Sequence, residues 1–124
     1  MLTLVRTLLV GYGLIAIATG ILGASATYDA VTTTPMQDNN HRYVAAIWAS
    51  MGLAFLFVAW NPSEVSLFRF LMAALFIGGL VRAIALVNYP PTPFIVFIIA
   101  IELIPPPLML WLHSSSINAA RHQL

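Results

Sequence analysis

Four long apolar runs, separated by short polar or proline-rich stretches, decide what this chain can become. They cover roughly residues 7–26, 43–60, 66–87 and 93–112, each close to the ~20 residues that a helix needs to cross a bilayer. A soluble domain of 124 residues could not hide them, because 60% of the side chains are hydrophobic and 7% charged, against about 25% charged in ordinary domains. The runs also lack the apolar–polar alternation of a membrane β-barrel. The expected fold is all-α: one integral membrane four-helix bundle spanning residues 1–124.

The first run resembles a secretory leader, with Arg6 before an apolar centre and Ala24-Ser25-Ala26 after it. We expect an uncleaved helix instead. Between Tyr28 and Arg42 lies the one long polar segment, in which Asp38, Asn39 or Asn40 can cap the second helix. Asn61-Pro62-Ser63-Glu64 then reads as the start of the third helix, with Asn as cap, Pro at the first position and Glu at the third. Asn88 to Pro93 forms a stiff connector, and Thr92-Pro93 starts the fourth helix.

Arginine placement suggests an orientation. With a cytoplasmic N-terminus, Arg6, Arg69 and Arg121 lie inside and Arg42 outside, as positive-inside bias prefers. Trp60 and Trp111 then fall at the inner ends and Tyr28, Tyr43 and Tyr89 at the outer ends. Both termini are therefore expected in the cytoplasm.

Helices in lipid associate by close approach of small residues. Ala16, Gly20 and Ala24, with Gly13 nearby, supply a stripe on the first helix. Ala45 and Ala49, or Ala46, Ser50 and Ala54, supply one on the second, and Ala74 with Gly78 one on the third. Such stripes mark packing and carry no functional message.

Arg82 and Glu102 ask for more, since both interrupt hydrophobic runs. A charge at a helix centre costs about 2.5–3.5 kcal/mol on insertion scales, so such groups face protein or water and find partners. Arg82 lies about 9 Å below Asn88 and Glu102 about 13 Å below Pro93, which a stretched arginine can bridge. Continuing the Ala74–Gly78 stripe turns Arg82 toward the bundle interior. An ion pair fixing helix register is one reading; a polar anchor for an anionic or hydrogen-bonding ligand, or a proton-linked carboxylate, is the other. In a third arrangement Arg42 reaches Glu102 and leaves Arg82 free. Pro105-Pro106-Pro107 adds a kink one turn later, removing the donors for the carbonyls of Ile101, Glu102 and Leu103.

Other chemistry finds little support. The chain has no cysteine, and His41, His113 and His122 have no metal-ligand spacing. No metal, other cofactor or catalytic residue is expected, and no basic patch suggests nucleic acid.

Asn39 and Arg42-Tyr43, the phrase Phe76-Ile77-Gly78-Gly79-Leu80-Val81-Arg82, and Glu102-Leu103 followed by Pro105-Pro106 together resemble a domain-of-unknown-function family. Its members are small bacterial inner-membrane proteins with four helices, and more loosely the chain is similar to DoxX-like bundles. The resemblance spans most of the chain and implies recurrent polar positions at Arg42, Arg82 and Glu102. It implies no reaction, cofactor or substrate, and Pro107 departs from its pattern. DoxX-like proteins are partly linked to quinone and thiol chemistry, and the lack of cysteine removes the thiol part. Two functions fit these features. One is a non-enzymatic accessory subunit packing against a larger inner-membrane complex. The other is a pocket for a small lipid-like or quinone-like ligand, with Arg82 and Glu102 as anchors.

Overall fold

The computed structural model describes residues 2–88 and 90–121, with the side chains of 3–88 and 90–115. Tyr89 and His122 lie outside the described residues, as does the side chain of Arg121. Five helices follow one another: α1 (Leu2–Ser25), α2 (Pro35–Trp60), α3 (Val65–Ala85), α4 (Pro93–Leu103) and α5 (Pro105–Arg121). No strand occurs among the described residues. Four segments are long and apolar enough to cross a membrane, α4 and α5 together making the fourth, from Pro93 to Ser115. The chain divides into two compact units, Arg6–Ser63 and Glu64–Leu124 with Met1–Val5.

In the first unit α1 and α2 form an antiparallel hairpin held in one register along its length. Arg6 lies over the Trp60 ring, 5.2 Å from its centroid, at one end. Tyr12 stacks on Phe55 with ring centroids 5.8 Å apart. At the other end the Arg42 guanidinium donates to the Ala24 carbonyl at 2.8 Å. Glycine lets the backbones approach so closely. A Cβ on Gly20 would stand 2.6 Å from the Ala45 carbonyl and the Ala49 amide, and one on Gly52 only 2.7 Å from the Gly13 carbonyl. Of the two stripes the sequence offered on this helix, the one through Ala45 and Ala49 makes the crossing, and Gly52 extends it.

Helix α2 begins eight residues before the apolar run it was expected to match. Thr34 is its cap, accepting from the Gln37 amide at 3.3 Å while its own amide donates to Gln37 Oε1 at 2.9 Å. Pro35 takes the first helical position. This reciprocal pair satisfies two donors that would otherwise be orphaned, so the helix runs on past Asp38, Asn39 and Asn40, none of which caps it. Asn61 also has a different role from the expected one. It closes α2, its amide and its Nδ2 both donating to the Phe57 carbonyl. Helix α3 accordingly starts at Val65, after a turn through Pro62 and Ser63.

In the second unit α3 buries Phe68, Leu71, Met72, Leu75 and Gly79, a stripe at helical spacing. Thr92 caps α4, accepting from the Ile95 amide with Pro93 in the first position, as the sequence suggests. The kink expected at the prolines is a break at Ile104, whose amide still donates to the Ala100 carbonyl at 2.9 Å. Three consecutive prolines cannot continue that ladder. The buried positions Ile99, Glu102, Pro106, Met109 and His113 nevertheless keep spacings of three and four across the break. The bend interrupts the hydrogen bonds without rotating the packed face.

Gly52→Val is expected to weaken the protein by about 1–3 kcal/mol, because the new side chain meets backbone atoms that cannot yield. Gly11→Ala, with nothing within 4 Å of its added carbon, serves as the neutral reference. Thermal unfolding in mild detergent checks both, and equal melting points would contradict the crossing described.

Candidate functional site

Arg82 and Glu102 meet through the geometry of their helices. Glycine at position 79 sets the distance: a Cβ there would lie 2.9 Å from the Glu102 Cβ and 2.8 Å from the Leu103 Cδ2. Glu102 is thus level with Gly79, three residues from Arg82, an axial offset of about 4.5 Å. Side chains on a helix lean toward its N-terminus. Because α3 and α4 run antiparallel, Arg82 leans away from the connector and Glu102 toward it, and the two close the offset. Arg82 Nε donates to Glu102 Oε1 at 3.1 Å and lies 3.0 Å from Oε2.

The two partners differ sharply in exposure. The Glu102 side chain is 8% exposed, whereas that of Arg82 is 55% exposed. Arg82 therefore does not turn into the interior as expected. It belongs to the last turn of α3, which ends at Ala85, and only its Nε edge is used on Glu102. Its terminal nitrogens make no hydrogen bond to a described residue. Glu102 Oε2 is sealed from the surface and has no hydrogen bond of good geometry. Beside the guanidinium lies a groove of about 180 Å³ lined by Arg82, Ala85, Ile95 and Ile98.

The small-residue stripe of α3 is displaced by one position from the sequence reading. Gly79 is buried against α4, whereas a Cβ on Gly78 would meet nothing within 4 Å. The pair and the stripe are therefore one feature, in which Gly79 makes the room that Glu102 occupies.

Arg42, the third candidate, binds within its own hairpin. Its Nε donates to both Asp38 oxygens at 3.0–3.1 Å, one turn back on α2. Tyr28 lies under the guanidinium, 5.9 Å from its ring centroid, and also packs against His41 at 5.1 Å. Tyr28, Asp38 and Arg42 border a basin of about 390 Å³, which Thr27, Thr33 and Thr34 also line. His113 is buried in α5, with its ring 4.4 Å from that of Phe68. From Gly79 back to Phe68, and from Glu102 on to His113, is eleven residues each, so these contacts share one antiparallel register.

One polar contact inside the hairpin was not anticipated. Trp48 Nε1 donates to Thr19 Oγ1 at 3.0 Å, and that hydroxyl in turn donates to the Ile15 carbonyl at 2.7 Å. The Thr-x-x-Gln of the α2 cap was readable in the sequence; the Thr19–Trp48 pairing was not, since only the hairpin register aligns them.

Four spans, two tightly crossed helix pairs and an ion pair that joins α3 to α4 define a multi-pass all-α membrane protein. The chain belongs to the family described as domain of unknown function (DUF4345), which matches residues 1–113. No curated protein and no solved structure matches it.

Gly79→Val is expected to part α3 from α4 and lower stability by about 1–3 kcal/mol, since it overpacks the position that accommodates Glu102. Gly78→Val, on the open side, is expected to change little. Melting temperatures of the two variants in the same detergent make the comparison; the reverse order would displace Gly79 from this role.

Proposed function

We propose that the protein is a non-enzymatic accessory or structural subunit that packs against a larger complex in a bacterial inner membrane. Glu102 carries this reading. Its Oε2 is out of reach of any substrate, and its carboxylate is spent on Arg82 of the neighbouring helix. A carboxylate so placed fixes helix register and does no proton chemistry with a bound molecule. Two other polar contacts act in the same sense. Trp48 is tied to Thr19 across the hairpin, and Arg42 to Asp38 and the Ala24 carbonyl. Large apolar side chains, among them Phe70, Ile77, Phe94 and Phe97, remain on the outside for lipid or neighbouring helices. Both termini on the cytoplasmic side would put Arg6, Arg69 and Arg121 inside, against Arg42 and, at the outer end of α3, Arg82.

The unused end of Arg82 favours a second reading, a site for a small lipid-like or quinone-like ligand. Arg82 would be its anchor, and Glu102 would orient Arg82 without touching the ligand.

Native mass spectrometry of the gently solubilised protein, tagged at its C-terminus and produced at low level, separates the two. The accessory reading expects a complex of fixed stoichiometry with larger membrane subunits. A protein recovered alone, with a reproducible small added mass, would replace it with the ligand reading.

A further inference from the structure

We propose that Arg82 and the groove beside it hold one anionic phospholipid, the phosphate on the guanidinium and an acyl chain along Ile95 and Ile98. The proposal rests on the ligand reading of this site and names its ligand class. Three observations carry it. Glu102 engages Arg82 by the Nε edge alone, which leaves the two terminal nitrogens as a planar fork suited to two oxygens of a phosphate. The second is that the fork is fixed in direction by a buried carboxylate rather than free to wander, since Glu102 is 8% exposed and Arg82 55%. An oriented guanidinium loses less freedom when a ligand binds.

The third is the placement and lining of the groove. Arg82 lies in the last turn of α3, near the end of a membrane span, where an arginine can reach the headgroup region. The remaining walls, Ala85, Ile95 and Ile98, are apolar, and the space is about 180 Å³. Ligand cavities that enclose a drug-sized molecule run to about 300–1,000 Å³, so this groove fits part of a chain rather than a whole compact ring system. A phospholipid meets both demands, a phosphate at the polar end and a thin hydrocarbon tail below it. Glu102 takes one edge of the guanidinium and leaves its outer nitrogens without an acceptor, which the lipid phosphate supplies.

The test uses the purified full chain and two lipids with identical acyl chains, phosphatidylglycerol and phosphatidylcholine. Native mass spectrometry reads which lipid stays bound as detergent is stripped. One phosphatidylglycerol per chain is expected, retained about five- to tenfold over phosphatidylcholine, as one arginine near the surface can provide. Arg82→Gln is expected to remove that preference. Ile98→Trp, which fills the groove and leaves the ion pair in place, is expected to lower retention of the lipid even if Arg82→Gln does not fold. Equal retention of both lipids by the unaltered chain would overturn the proposal. So would full preference in Ile98→Trp, or a second copy of the chain found in place of the lipid. Larger protein subunits give separate masses in the same spectra, so loss of the lipid preference and loss of an accessory complex are read apart.

Discussion

A charged group inside a bilayer has no water to turn to, and that constraint organises the α3–α5 half of this protein. Arg82 and Glu102 meet its cost by finding each other, and three features make the meeting possible. Gly79 brings the helices close enough. Opposed helix directions make the side chains lean together. The capped start at Thr92 and Pro93 fixes where α4 begins, and hence the level at which Glu102 arrives. The proline run then breaks the helix just beyond Glu102, yet the buried face continues through Pro106, Met109 and His113. The bend is tolerated because the packed stripe persists across it.

The α1–α2 hairpin meets a different version of the same constraint. With lipid outside, burying leucines gains little, so the helices gain from close backbone contact instead. Gly13, Gly20 and Gly52 provide that contact, and the Thr19–Trp48 bond adds a polar tie in the middle. The hydroxyls of Ser25, Ser50, Ser114 and Ser115 are satisfied one turn back on their own helix. Arg82 keeps an exposed edge at the end of its span, and that edge has chemistry to offer a neighbour.

Membrane class and the number of spans were legible because continuous apolar length is a strong signal that depends on no tertiary contact. Helix ends were less so, since competing caps are ranked by local geometry. Asn61 followed by Pro62 has the composition of a start, but the amide and side chain of Asn61 both turn back to Phe57. Thr34 and Gln37 formed the stronger signal at α2, and the polar residues after them masked it. At the site, the reach of Arg82 to Glu102 followed from rise per residue alone. Which face carried the contact did not. Gly78 and Gly79 are adjacent in sequence and 100° apart around the helix, and only packing distinguishes them. The exposure of Arg82 was likewise invisible, because a stripe of small residues tells where helices touch and not how far a long side chain extends beyond the seam.

Arg82 and Glu102 act as one unit that ties α3 to α4. A double-mutant cycle with Arg82→Gln, Glu102→Gln and the two combined, followed by reversible unfolding in detergent, measures this directly. The combined variant is expected to lose less than the sum of the single losses, by about 1 kcal/mol or more, because each single change strands the partner's charge. Losses that simply add would contradict it and leave the two residues as independent neighbours.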